Sequence, residues 1–260
     1  MKKLLKNLLL QFNFEIVRHS VIEELRSHKI FYQNAIDDLK ILQTFPNKHA
    51  SQIVSVLDKS KAQLRQDIFV LCHLNFKRNG YFVEFGATNG ISLSNTFLLE
   101  SEFSWHGILA EPAKCWHSDL EKNRKCNIEH KCVWTDSHTN LVFNEVRNAE
   151  LSTIHHFSNS DHHSIQRKIG EFYEVSTISL NDLLEKYNAP YQIDYLSIDT
   201  EGSEFQILEK LDFSKYSFGV ITCEHNYTPM RDKIFDLLTK HGYIRKYEEI
   251  SKWDDWYVKQ

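Results

Sequence analysis

Five short apolar runs, "YFVEFG", "HGILAEP", "IEHKCVW", "DYLSIDT" and "FGVITCEH", recur after residue 80, each closed by turn or helix-starting residues and separated by polar, helical stretches. That alternation leaves few folds open. Runs apolar on both faces belong to strands covered by helices on both sides, and strand–helix alternation makes their sheet parallel. "GYIRKYEEI" and "DDWYVK" then follow with no helix between them, as an antiparallel pair at the sheet edge requires. The predicted fold is α/β, a doubly wound, mostly parallel sheet of seven strands. Upstream, Leu4, Leu5, Leu8, Leu9, Phe12 and Ile16 recur at helical spacing, so residues 3–28 are expected to form an amphipathic helix. The helical pattern continues through "FYQNAIDDLKILQTF", breaks at Pro46 and resumes over 51–77. The expected organisation is a helical N-terminal region, 1–60, and a main domain, 61–260.

Composition narrows the partners. With 42% hydrophobic and 25% charged residues in 260, the chain is neither disordered nor fibrous. A net charge of -4 lacks the basic footprint of a duplex binder, and no nucleic acid partner is expected. The five cysteines form an odd set without C-x-x-C, which reads as reduced thiols in a cytoplasmic protein. The start "MKKLLKNLLLQFNFEIV" is basic, but its apolar run from Leu8 to Leu10 is too short for a signal peptide. No stretch reaches the roughly 18 apolar residues of a spanning helix. The amphipathic start leaves open a peripheral contact with an anionic membrane surface, packing on its own domain, or packing on a second subunit of a homo-oligomer.

Ligands of open parallel sheets sit outside the carboxyl ends of the strands, where the first strand-to-helix turn lets backbone approach them closely. "EFGATNG" occupies that turn, with Gly86 and Gly90 free of a side chain and Ser92, Ser94 and Asn95 starting the next helix. The second strand ends in "LAEP", which places Glu111 to accept both hydroxyls of a ribose. The third glycine of G-x-G-x-x-G is missing, which argues against a pyrophosphate and NAD and suits an adenosine without phosphates.

"FVEFGATNGISLSN", "GILAEP", "IDYLSIDTEGSEFQIL" and "EHNY", in that order and spacing, resemble the FkbM family of S-adenosylmethionine-dependent methyltransferases over about residues 60–260, with "DTEGSE" the most distinctive block. The resemblance implies a class I methyltransferase, Rossmann-like fold with S-adenosylmethionine as cofactor. It assigns Glu84, Gly86, Asn89 and Gly90 to the methionine part, Glu111 to the ribose, and Val133 and Trp134, with Asp136 nearby, to adenine. Glu84 stands where the family more often has Asp, a longer reach with the same charge. "QLRQDIFVL" resembles the family's approach to the first strand, so Gln66 and Asp67 either contact the cofactor and close its pocket or simply start a helix. The first 60 residues have no counterpart. The resemblance further implies methyl transfer to a hydroxyl of a sugar or surface-glycan precursor.

Such a transfer needs aligned reactants and a place for the acceptor's proton. In "SIDTEGSE", Asp199 at the strand end faces the reacting atoms, while Glu204 caps the following helix. "CEHNY" adds Glu224, His225 and Asn226; His225 is the expected base on pKa grounds, with Asp199 orienting it or sharing the proton. These groups could supply ligands to a divalent metal, but no spacing demands one and none is expected. The histidines of "STIHHFSNSDHHSIQRK" lack zinc spacing, so the segment reads as a solvated loop or a lid, with Ser152, His155 and Asp161 as candidate acceptor contacts. Trp253 and Trp256 either stack on a sugar or pack the sheet edge. Two other functions stay open: a nucleotide-cofactor oxidoreductase, and an inactive interaction module that keeps the fold.

Overall fold

A computed structural model describes residues 19–260, and the amphipathic run from Leu4 to Ile16 lies outside the described residues. The chain divides into two units, residues 1–43 and 44–260. The first contributes α1 (His19–Thr44), which exposes Leu25, Tyr32, Ile36 and Leu39. Residues 44–60 belong to the second unit, where His49, Ile53 and Val56 around α2 (Ala50–Val54) are buried. Its remaining helices are α3 (Gln66–His73), α4 (Phe97–Phe103), α5 (His117–Asn123), α6 (Leu180–Lys186), α7 (Glu204–Glu209), α8 (Met230–Lys240) and α9 (Glu248–Ser251). Among the described residues, no helix is long and apolar enough to cross a membrane.

The strands are β1 (Tyr81–Phe85), β2 (His106–Ala110), β3 (Asn127–Glu129), β4 (Cys132–Trp134), β5 (Asn140–Val146), β6 (Thr153–Ile154), β7 (Gly170–Ser179), β8 (Gln192–Ile198), β9 (Ser217–Glu224), β10 (Tyr243–Lys246) and β11 (Asp254–Lys259). Seven of them form the main sheet in the order β10-β11-β9-β8-β1-β2-β3, the doubly wound arrangement expected. Only β11 runs against its neighbours. The final pair is antiparallel, yet β11 lies inside the sheet and β10 forms the edge. The side chains explain it: Trp256, Tyr257 and Val258 of β11 are buried, whereas β10 carries Arg245 and Lys246 toward the rim. The strand order reverses between β1 and β8, which makes their carboxyl ends the switch point where ligands bind.

The third apolar run is not one strand. It divides at His130 into β3, in the main sheet, and β4, which joins a second sheet of order β4-β7-β5-β6. Glu129 fixes the break, because its carbonyl accepts from the Glu111 N–H (2.9 Å) and its carboxylate from the Lys131 N–H (3.2 Å). The antiparallel β5–β7 ladder pairs seven residues from Asn140↔Ser176 to Val146↔Gly170 and closes its own small core of Phe143, Ile154, Phe157 and Val175. The chain between these two strands passes over the carboxyl end of the main sheet.

Candidate active site

A cavity of about 550 Å³ opens at the carboxyl ends of β1, β2, β8 and β9. Gly86 begins the turn after β1 with φ +74°, and a Cβ there would lie 2.0 Å from the Asp199 carbonyl oxygen, so only glycine lets the turn rest on the end of β8. The turn is tied to β2 by Glu111, whose two carboxylate oxygens accept from Thr88 N–H and Ala113 N–H, each at 2.8 Å. Glu111 is 4% exposed, and burial pushes its carboxyl up to about 7. Thr88, Leu93, Glu201, Asn226 and Tyr227 also line the cavity, and all five hold left-handed backbone with φ from +43° to +60°. Strain of this kind gathers at ligand sites.

Of the residues assigned to the cofactor, Gln66, Glu84, Gly86, Glu111 and Val133 line the cavity. Glu84 does so with both oxygens engaged: Oε1 accepts from Asn95 N–H (2.8 Å), Oε2 from the hydroxyls of Ser94 and Thr96, and Arg124 lies 3.9 Å away. Its role is to hold the loop that follows the turn. Asn89, Gly90, Trp134 and Asp136 are not among the lining residues. Asn89 Oδ1 accepts from the N–H groups of Ile91 and Ser92 and so builds the turn itself. Gly90 is small for packing, since a Cβ would meet Arg124 Cγ at 2.6 Å and Leu120 Cδ1 at 2.8 Å. Trp134 packs edge-on against Phe157, and Asp136 is exposed and accepts from Thr135 Oγ1. Asp67 is fully buried, held by Ser60 Oγ (2.7 Å) and Ile68 N–H (2.8 Å), the arrangement of a helix start.

At the far side of the cavity, carboxylate oxygens of Asp199, Glu201 and Glu224 lie within 4.8 Å of one another. Burial is the main reason their protonation shifts upward, Asp199 to about 7 and the other two well above the usual carboxylate range. Glu201 has a cation at hand, the guanidinium of Arg167 at 2.6 Å. His225 is elsewhere. Its Nδ1 accepts from Tyr227 N–H (3.0 Å), Nε2 is 3.7 Å from Asp255, and burial lowers its pKa to about 4. The residue is not part of the cavity wall, which corrects its expected role as base and leaves it outside the acid cluster.

The chain between β5 and β7 supplies the roof: Asn148, Ser152, Ile154, His162, His163 and Gln166 all line the cavity. Arg167, with a side chain 0% exposed, anchors it, bonding both oxygens of Asp161 (2.9 and 3.0 Å), the Leu151 carbonyl (2.7 Å) and Glu201. Sequence reasoning missed this arginine because nothing local marks it among the polar residues around it. Ser152 reaches the cavity as expected; His155 instead meets the Phe172 ring edge-on, and Asp161 is occupied by Arg167. Trp253 lines the cavity, while Trp256 is buried and stacks on Phe69 with centroids 4.8 Å apart.

Comparison with known proteins identifies the family. The family model for the methyltransferase FkbM domain matches residues 84–245, and no curated protein matches the sequence. Among solved structures, the methyltransferase FkbM from Methylobacillus flagellatus KT is 12% identical, with a TM-score of 0.47, over 87% of this chain and 59% of that one. Precorrin-6y C5,15-methyltransferase from Geobacter metallireducens GS-15 is 9% identical, with a TM-score of 0.40, over 74% and 84%. The TehB-like SAM-dependent methyltransferase from Corynebacterium glutamicum ATCC 13032 is 5% identical, with a TM-score of 0.37, over 82% and 97%. Because the family model spans more than half of the sequence, from Glu84 of β1 to Arg245 of β10, the chain belongs to the FkbM methyltransferase family.

Proposed function

We propose that the chain moves a methyl group from S-adenosylmethionine to a hydroxyl of a sugar or surface-glycan precursor. The observation that carries this reading is the meeting, in one cavity, of the Gly86 turn, the buried Glu111 and the acid pair Asp199–Glu224. The donor set fits the cofactor. Glu84, Glu111, Asp199, Glu201 and Glu224 line the wall, and among the described residues no lysine or arginine does. Such a wall gives the pyrophosphate of a dinucleotide no cation to pair with, which disfavours the oxidoreductase reading, while a positively charged ligand draws its buried acids toward their ionised form. When bound, S-adenosylmethionine supplies a methyl group on a cationic sulfur.

The protein's own groups do the rest. Glu111 keeps lone pairs for ribose hydroxyls beside the two backbone bonds it already accepts, and Val133 walls the adenine side. With Asp199 raised to about 7 and Glu224 well above the usual carboxylate range, the pair shares a proton at neutral pH, and its ionised member can take the proton of an acceptor hydroxyl. On the acceptor side, Tyr227 (65% exposed) and Trp253 offer aromatic faces at the mouth, with Ser152, His162 and Gln166 as polar neighbours. Flat apolar faces beside small polar groups match a sugar ring, which presents C–H and O–H surfaces. The five unpaired cysteines accord with a reducing, cytoplasmic setting.

Calorimetry with S-adenosylhomocysteine and NAD, followed by transfer of labelled methyl to a panel of sugars, tests the reading. Wild type should bind S-adenosylhomocysteine and not NAD. Asp199→Asn should keep that affinity and lose turnover by about a hundredfold or more, the scale of general-base catalysis. NAD binding alone would overturn the cofactor; cofactor binding with no transfer to any sugar would leave the inactive module.

A further inference from the structure

The cofactor side of the cavity holds one buried polar atom that the protein leaves unsatisfied. Asn95 is 8% exposed and lines the cavity, and its Oδ1 has no hydrogen-bond partner among the described residues. The rest of the residue is pinned. Its N–H donates to Glu84 Oε1 (2.8 Å) and its Nδ2 to Ser197 Oγ (2.9 Å). A buried carbonyl left in this state costs about 1–3 kcal/mol unless a donor reaches it, so the atom marks a ligand contact. The hydroxyls next to it in the chain are spent elsewhere: those of Ser94 and Thr96 donate to Glu84.

Position says which ligand group supplies the donor. Through Glu84 and Ser197, Asn95 bridges the ends of β1 and β8, whereas Glu111 ends β2 and Val133 lies in β4. A ligand with its ribose at Glu111 and its adenine toward Val133 brings its amino-acid part to the β1–β8 side. The N–H donor of that part is the ammonium. Glu84, the residue that family resemblance assigns to the methionine, has both oxygens engaged by Ser94, Asn95 and Thr96. We propose that Asn95 Oδ1 accepts the hydrogen bond of the cofactor's methionine ammonium, and that Glu84 is a positioning residue acting through Asn95. The assignment rests on S-adenosylmethionine being the cofactor.

The test compares S-adenosylhomocysteine with its desamino analogue, in which hydrogen replaces the amino group, and with its decarboxylated analogue, by calorimetry. Wild type should prefer the parent compound over the desamino analogue by about tenfold or more, the size of a hydrogen bond to a charged group. Asn95→Ala should erase that preference and leave affinity for the desamino analogue unchanged; Asn95→Asp, which keeps an acceptor oxygen, should retain it. Asn95→Ser, too short to reach the ligand, replaces Asn95→Ala if the latter does not fold. Equal weakening of all three ligands, as a merely structural role gives, would overturn the proposal. So would loss of discrimination against the decarboxylated analogue alone, which would assign the amide to the carboxylate. If wild type binds none of the three, the cofactor reading itself fails, a result distinct from either of these.

Discussion

Glu111 joins the two halves of the proposed nucleoside site, so its removal should be felt twice. Glu111→Ala is expected to weaken S-adenosylhomocysteine binding by about 1.5–3 kcal/mol, the loss of charge-assisted hydrogen bonds, as read by calorimetry. It should also lower the thermal midpoint, because Thr88 N–H and Ala113 N–H lose their acceptor. Unchanged affinity in a folded variant would remove Glu111 from the ribose. At this scale the sequence was informative wherever a strand end fixes the residue: Glu84, Glu111, Asp199 and Glu224 all reach the cavity. His225 was misread for a simple reason. β9 ends at Glu224, and the turn that follows is pinned by the Trp253 carbonyl, which accepts from His225 N–H (2.9 Å), so His225 faces Asp255, a contact that β11 supplies and local sequence cannot reveal.

Among the elements, the turn after β1 depends most on a single backbone conformation. Gly86→Ala combines a φ of +74° with a Cβ 2.0 Å from the Asp199 carbonyl, a backbone atom that cannot step aside. Thermal unfolding should show a large drop in midpoint, together with lost cofactor binding. Gly90→Ala shares the left-handed strain (φ +80°) but should be milder, because its collisions are with the side chains of Arg124 and Leu120 and not with backbone; equal losses in the two variants would contradict this account. The main sheet was legible from apolar runs and spacing. The second sheet was not: Leu141, Val142 and Phe143 run on without alternation, and only Glu174 between Tyr173 and Val175 hints at a half-buried strand. Pairing between β4 and β7 joins segments far apart in the chain, and the sequence showed only a single third strand there.

The molecule as a whole carries buried acids that are unfavourable when ionised. Burial raises Asp67 to about 6, Glu111 and Asp199 to about 7 and Asp254 to about 8. From about pH 4, where an unfolded carboxyl ionises, up to those values, the folded protein holds protons that the unfolded chain has released, so stability falls as pH rises through that window. His225 acts in the opposite sense, because the unfolded chain gains its proton below about 6.5 while the fold resists down to about 4. Four acids outweigh one histidine, so the thermal midpoint should be highest near pH 4–5 and decline toward pH 8.5 in differential scanning calorimetry. A midpoint that rises over that range would show the acids to be ionised and paired. S-adenosylmethionine, with its cationic sulfur, should offset more of the decline than neutral-sulfur S-adenosylhomocysteine does.

One connection in this architecture reaches from roof to floor. Arg167 rivets the chain crossing above the cavity to Glu201 beneath it, and the rivet is out of reach of water. Lifting that ceiling would have to part Arg167 from Glu201, while Asp161 and the Leu151 carbonyl hold the same guanidinium on the roof side. The roof and the acids below it are therefore joined at one buried point, so a substitution at Arg167 should disturb both at once.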